Sequence, residues 1–311
     1  MHLIAICGPT ATGKTALAAA LAHDLNADIL SADSRQVYRG LDLGTGKDLA
    51  EFQKFHPPVP YHLIDIIEPN EIYSLYQFQQ ETYRILRDLT LSGPGRRDLA
   101  VMVGGSGMYM ESVLRRYRIA NVPENPEVRA AFADWTREDL ERELRNRDAA
   151  LAERTDLTSR KRIIRALEIL ASGLPEDVAY SPPPEVDFTF TVFAMSWEKP
   201  ALRERIDARL EARLQAGMVE EVSGLINRGV APERLRLLGM EYREITDFIL
   251  GVKDYHRMVE DLRHEIHLLA KRQETYFRGM ERRGIPIHWL KPGSRVETIK
   301  EILANQGVKL G

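Results

Sequence analysis

Leu3-Ile4-Ala5-Ile6-Cys7 runs directly into Gly8-Pro9-Thr10-Ala11-Thr12-Gly13-Lys14-Thr15, and this junction decides the fold. The five apolar residues predict a short buried strand. The Ala-rich stretch Thr15-Ala16-Leu17-Ala18-Ala19-Ala20-Leu21 predicts the helix that follows. Between them stands a complete G-x-x-x-x-G-K-[ST] loop in strand-loop-helix context, the pattern that cradles a diphosphate or triphosphate. Glycines at 8 and 13 let the backbone turn tightly and bring its N–H groups to phosphate oxygens, at the positive end of the helix. Lys14 adds a mobile positive charge. Thr15 offers its hydroxyl to a magnesium ion bridging the phosphates. The loop names a class of ligand, not a reaction.

Outward from the loop, apolar runs alternate with helical stretches. Asp28-Ile29-Leu30-Ser31, Tyr61-His62-Leu63-Ile64-Asp65-Ile66-Ile67 and Leu99-Ala100-Val101-Met102-Val103 predict strands, with helices over about 75–90 and 106–114. The alternation implies an α/β fold, a phosphate-loop-containing parallel sheet with helices on both faces. Ligands of such sheets gather at the carboxyl ends of the strands. That rule joins three segments into one expected site: the phosphate loop, Ser31-Ala32-Asp33-Ser34-Arg35-Gln36-Val37-Tyr38, and Gly104-Gly105-Ser106-Gly107-Met108-Tyr109.

The character changes over residues 117–184. Asn121-Val122-Pro123-Glu124-Asn125-Pro126 opens the segment and Ser181-Pro182-Pro183-Pro184 closes it. Three helical stretches lie between, around 126–135, 137–151 and 159–172. Pro-rich punctuation at both ends predicts an inserted all-helical subdomain, with the core formed by residues 1–116 and 185–311. Strand character returns at Phe188 to Met195, and the rest is mainly helical until Ile287-His288-Trp289-Leu290. Within the insertion, Arg160-Lys161-Arg162-Ile163-Ile164-Arg165 sets four cations in six residues with no acid. On a helix these form a positive face while Ile163, Ile164 and Leu167 point inward. An RNA backbone and plain solvent both suit such a face. Lys271-Arg272-Gln273-Glu274-Thr275-Tyr276-Phe277-Arg278 interleaves cations with aromatic rings and leaves the same choice open.

Composition sets limits. A chain of 311 residues buries a large core, and a net charge of −3 argues against non-specific coating of nucleic acid, so any RNA contact is local. The single cysteine, Cys7, rules out an intramolecular disulfide and a cysteine-built zinc site and reads as a small buried residue. No apolar run approaches membrane-spanning length and no secretory leader is visible, so the expected address is the cytoplasm. A monomer is expected.

Two carboxylates compete for the chemistry. Asp33 follows a short strand at the sheet edge where the phosphate loop ends, flanked by Ser34 and Gln36, residue types that pair with a purine edge. It suits a general base, a water-mediated magnesium contact or a cap on the next helix equally well. Asp65, after Leu63-Ile64, is where an ATPase would place its magnesium carboxylate. The residues alone leave this fork open.

The motifs taken together resemble the tRNA dimethylallyltransferases, also called isopentenyl-tRNA transferases. The matching stretches are the phosphate loop, Ser31 to Tyr38, Gly44-Thr45-Gly46-Lys47, His62-Leu63-Ile64-Asp65, Gly104 to Tyr109, Pro126-Glu127-Val128-Arg129, Arg162-Ile163-Ile164-Arg165-Ala166-Leu167-Glu168 and Ala270-Lys271-Arg272-Gln273. They follow the family's order over nearly the whole chain. The resemblance implies transfer of a dimethylallyl group from its diphosphate to N6 of the adenosine 3′ to the anticodon, in tRNAs that read codons starting with U. It implies Asp33 as base, Lys14 and Mg2+ neutralising the leaving diphosphate, and Ser106 keeping a substrate-touching hydroxyl where the family usually has threonine. It also implies tRNA contacts from Asp33, Ser34, Arg35, Gln36, Ser106, Arg129 and the segment Lys161, Arg162, Ile163, Ile164, Arg165, with the tRNA anticodon loop as partner.

Three departures accompany the match. Gly239-Met240-Glu241-Tyr242-Arg243-Glu244 has two extra residues where the family has Gly-Tyr-[Arg/Lys]-[Glu/Gln]. His264-Glu265-Ile266-His267-Leu268-Leu269 replaces a usual Thr-Arg-x-[Tyr/Leu], and Gly44-Thr45-Gly46-Lys47 replaces Gly-Thr-Ala-Lys. All bear on RNA specificity more than on the diphosphate. The alternatives are prenylation of free adenine nucleotide, and a phosphate-loop ATPase or kinase using Asp65. No arginine-rich lid is evident after the core strands to favour the latter.

Overall fold

The computed structural model describes residues 1–91, 98–180 and 182–310. Six parallel strands form one sheet in the order β3-β2-β4-β1-β5-β6: β1 (His2–Cys7), β2 (Asp28–Ser31), β3 (Tyr61–His62), β4 (Leu99–Gly104), β5 (Thr189–Met195) and β6 (Ile287–Leu290). β1 is central, paired in register with β4 (Cys7 with Gly104) and with β5 (Cys7 with Ala194). Its side chains alternate between two apolar cores. Leu3, Ala5 and Cys7 join the core that holds helices Leu75–Leu91, Lys199–Gln215 and Tyr255–Arg282. Ile4 and Ile6 join the core built with helix Lys14–Asp24 and the last helix, Val296–Asn305. Both faces of β1 are therefore dry, which is why its sequence is continuously apolar. Cys7 is fully buried, and burial pushes its thiol pKa far up, so it is inert packing.

The strand expected over Tyr61–Ile67 is a correction. Only Tyr61 and His62 pair with β2. Leu63 and Asp65 take positive φ (66° and 55°), which breaks the pleat, and the chain rejoins the Val37 carbonyl through the amides of Ile66 and Ile67.

The chain divides into two compact units, Met1–Arg116 with Pro184–Gly311, and Tyr117–Pro183. The second unit is all helical: Pro126–Ala131, Arg137–Arg147, Ala149–Arg154, Arg160–Ala171 and Glu176–Ala179. The single helix expected over 137–151 is split at Asp148. That residue is extended (φ −157°) and its side chain accepts from the Leu151 amide, capping a new helix. Asn125 caps the first helix through the amides of Glu127 and Val128, with Pro126 at its first position. Ile163 and Leu167 are fully buried in this unit's own core, with Ile164 close behind. Ser181, part of the Pro-rich closing segment, lies outside the described residues.

Candidate active site

The phosphate loop adopts the conformation its glycines promise. Gly8 sits at φ 152° with Met195 Cβ 3.0 Å from where a side chain would begin, and Gly13 is left-handed at φ 84°. Gly13 caps helix Lys14–Asp24 without a side-chain bond, so the helix's first amides remain available to an anion. Thr12 Oγ1 and Lys14 Nζ both donate to the Pro9 carbonyl, at 2.8 and 3.3 Å. Burial, and then repulsion from Arg209, hold the Lys14 ammonium down to about 8 from 10.5.

The three segments joined from the sequence do converge. Thr10, Lys14, Thr15, Asp33, Ser34, Arg35, Gln36, Gly104, Gly105 and Ser106 line one cavity of about 670 Å³ at the carboxyl ends of β1, β2 and β4. Close approach of β2 and β4 requires the glycines of β4's end, because a side chain at Gly104 would collide with the Ala32 carbonyl. Ser106 ties the two ends together: its amide donates to Ala32 O at 3.2 Å and its Oγ accepts from the Ser34 amide at 3.1 Å.

The helix-cap reading of Asp33 is a correction. Its Oδ1 accepts from the Arg35 amide at 2.9 Å, so it caps a turn rather than a helix. Its Oδ2 has no hydrogen-bond partner among the described residues and belongs to a carboxylate that lines the cavity. Gln36 departs from expectation. Its Oε1 accepts from Ser31 Oγ at 3.0 Å and its Nε2 donates to Gly46 O at 3.2 Å, so its amide is committed to protein rather than offered to a purine edge. Asp65 is a further correction: it pairs with the fully buried Lys47 side chain, which also binds Tyr38 O and Asp42, and does not line the cavity.

Several contributors were not read from the sequence as site residues. Gln273 of helix Tyr255–Arg282 accepts from the Thr10 amide at 2.9 Å and donates to Gly105 O at 3.1 Å, bridging the loop to the end of β4. Helix Lys199–Gln215 sets Arg205 on the Ala11 carbonyl (2.9 Å) and Arg209 on Thr10 Oγ1 (3.5 Å) and Asp48 (2.8 Å). These arginines follow the core strands and reach the phosphate loop itself. Their four-residue spacing was the available signal. Glu221 accepts three amides, of Asp42, Leu43 and Gly44, and the Tyr242 hydroxyl, fixing the loop that carries Gly46.

Thr15 lines the cavity beside Lys14, and no cluster of three or more His, Cys, Asp or Glu suited to a metal occurs among the described residues. A lone hydroxyl completed by substrate oxygens and water fits magnesium, which keeps much of its hydration, better than a softer ion.

In the helical unit the residues named for RNA divide. Arg129 is half-exposed and pairs with the buried Glu168 (2.6 Å) and with Glu124 (2.7 Å). Arg160 is committed to the carbonyls of Phe132, Ala133 and Trp135, and Arg165 to those of Val122 and Pro123 and to Glu168. Arg162 pairs with Asp156 at 2.6 Å but remains 60% exposed, and Lys161 is exposed. Ile163 and Ile164 face the unit's core, so their side chains support the helix and do not reach RNA.

Comparison with known proteins is consistent from end to end. Residues 36–280 match a family model described as IPP transferase, and residues 1–56 one described as isopentenyl transferase. A tRNA dimethylallyltransferase 1 from Parabacteroides distasonis is 42% identical over 312 residues, covering 98% of each chain. One from Geotalea uraniireducens is 42% identical over 303 residues, covering 97% of each. The full-length tRNA isopentenylpyrophosphate transferase of Bacillus halodurans matches with TM-score 0.69 at 28% identity, over 99% of this chain and 96% of that one. A eukaryotic dimethylallyltransferase acting on tRNA matches with TM-score 0.76 at 20% identity, over 98% of this chain and 79% of that one, a likeness of fold.

Proposed function

The chain belongs to the tRNA dimethylallyltransferase family and is a transferase, and we propose that it moves a dimethylallyl group from dimethylallyl diphosphate to N6 of the adenosine 3′ to the anticodon in tRNAs reading codons that start with U. One observation carries this reading: the phosphate loop and a carboxylate with a free oxygen, Asp33, line the same cavity. The N6 lone pair attacks the allylic C1 as the C1–O bond to diphosphate breaks. The pair from that bond leaves with the diphosphate, and the N6 proton passes to Asp33. An exocyclic adenine amine is a weak nucleophile because its lone pair is delocalised, so removing its proton as the bond forms lowers the barrier. Lys14 and the loop amides meet the charge growing on the leaving group. Thr15 is the residue that would hold a magnesium ion, which when bound would supply further neutralisation there.

The adenosine must leave its anticodon-loop stack to reach this cavity, and single-stranded loops permit that at least cost. Ser106 and the turn from Asp33 to Arg35 receive it, and Arg129, Lys161 and Arg162 of the helical unit contact tRNA. The enzyme acts as a monomer in the cytoplasm. No helix among the described residues is long and apolar enough to cross a membrane.

The test is transfer of radiolabel from dimethylallyl diphosphate, with magnesium, to unmodified tRNA and in parallel to AMP, with ATP hydrolysis followed alongside. Label in tRNA alone supports the reading. Label in AMP moves the function to free-nucleotide prenylation, and ATP hydrolysis without label moves it to an ATPase.

A further inference from the structure

Two of the departures from the family pattern meet in the cavity around one side chain. Helix Lys199–Gln215 presents Arg205, Arg209 and Arg213 on one face, and the first two are anchored on the phosphate loop. Arg213, one turn further on, lines the cavity with no hydrogen bond or ion pair among the described residues. Its guanidinium occupies the space above Gly46, where an added Cβ would collide with Arg213 Nη2 and stand 2.7 Å from Arg209 Nη2. Glycine, in place of the family's usual alanine, is what makes that room. The Gly239–Glu244 element faces it. Glu241 lines the cavity, and the Tyr242 ring lies 2.6 Å from where a side chain on Gly44 would begin.

The charges around Arg213 are unbalanced. Arg209 sits beside it, and burial followed by that repulsion holds Arg213 down to about 10. The nearby acids are Glu241, whose own pKa burial raises, and Asp48, which is already paired with Arg209 at 2.8 Å. Two guanidinium groups in a cleft with insufficient negative charge are stabilised by an oxyanion, which accepts charge-assisted bonds from both.

We propose that Arg213 is a substrate-binding residue, seated over Gly46 to hold a phosphate oxygen of one of the two substrates. The inference rests on the transfer reaction proposed above. The phosphate belongs either to the allylic diphosphate or to the RNA backbone, and the experiment separates these sources.

Wild-type protein is first shown to label tRNA from dimethylallyl diphosphate; failure there overturns the transfer reading rather than the role of Arg213. Arg213→Met, Arg213→Lys and Gly46→Ala are then compared, each checked for folding by its melting temperature. Loss of a charge-assisted bond predicts a shift of about tenfold or more in Arg213→Met. A raised KM for dimethylallyl diphosphate identifies the diphosphate. A raised Kd for tRNA, with the salt slope lowered by about 0.7 to 0.9, identifies the RNA backbone. Arg213→Lys recovers part of the shift, and Gly46→Ala, which pushes the guanidinium aside, moves the same constant. The proposal is overturned if folded Arg213→Met keeps both constants within about twofold of wild type, or, where that variant does not fold, if Arg213→Lys and Gly46→Ala both do.

Discussion

Asp33 divides its carboxylate between structure and chemistry, one oxygen holding the turn that follows β2 and the other open to the cavity. Asp33→Asn keeps the turn's acceptor and loses the base. It should reduce single-turnover transfer at least about a hundredfold while allylic diphosphate binding stays near normal. A near-normal single-turnover rate would remove Asp33 as base. Lys14 supplies a second prediction. Its ammonium, held down to about 8, is charged below that pH and neutral above it. Affinity for inorganic pyrophosphate should therefore fall between pH 7 and 9 relative to Lys14→Arg, which stays charged throughout. Parallel profiles from calorimetric titration of the two proteins would contradict the depressed pKa. The motif made Lys14 legible, but its pKa depends on burial and then on Arg209, which arrives from 195 positions along the chain and carries no motif of its own.

Elements hold these residues in place through contacts that no local pattern announces. Helix Gly107–Leu114 is fastened to helix Tyr255–Arg282 and the residue after it by the buried carboxylate of Glu111. That carboxylate accepts from Arg283 at 2.8 and 2.7 Å and from the Tyr276 hydroxyl at 2.6 Å. Glu111→Ala removes the acceptor that Arg283 and the Tyr276 hydroxyl share and should lower stability by about 1 to 2 kcal/mol in denaturant melts. Gln273 is the functional counterpart. Gln273→Ala strands the Thr10 amide and the Gly105 carbonyl and should raise KM for dimethylallyl diphosphate about tenfold with the fold intact. An unchanged KM would mean that the loop holds its shape without the bridge. In the sequence Gln273 stood in a mixed charged stretch and at the end of the family-matching Ala270-Lys271-Arg272-Gln273, with no role assigned to it. Its role depends on where a 28-residue helix crosses the strand ends.

At the scale of the whole molecule, the chain builds two units with separate cores, and the proposed labour divides between them: diphosphate chemistry in the sheet unit, tRNA contact in the helical one. Within the basic helix, Arg165 is tied to two carbonyls and Glu168, whereas Lys161 and Arg162 stay exposed. Lys161→Ala with Arg162→Ala should weaken tRNA binding and lower its salt slope by about 1 to 2, leaving KM for the allylic diphosphate unchanged. A salt slope identical to wild type would return the cluster to an ordinary solvated surface. Arg165→Ala should instead destabilise the helical unit.

The parallel α/β sheet, the phosphate loop, the convergence of three strand ends and the helical insertion were determined by the sequence itself. Each depends on local chemistry: apolar runs that can only be buried, glycines that a tight turn demands, prolines that end an element. The tertiary structure alone decided which polar groups were free. It turned Asp65 toward Lys47 and Gln36 toward Gly46, and buried Ile163 and Ile164. It also brought Arg209, Arg213 and Gln273 to a loop they are far from in sequence. Pairing of a charge or an amide depends on distance in space, and long-range packing sets that distance while leaving no periodic trace along the chain.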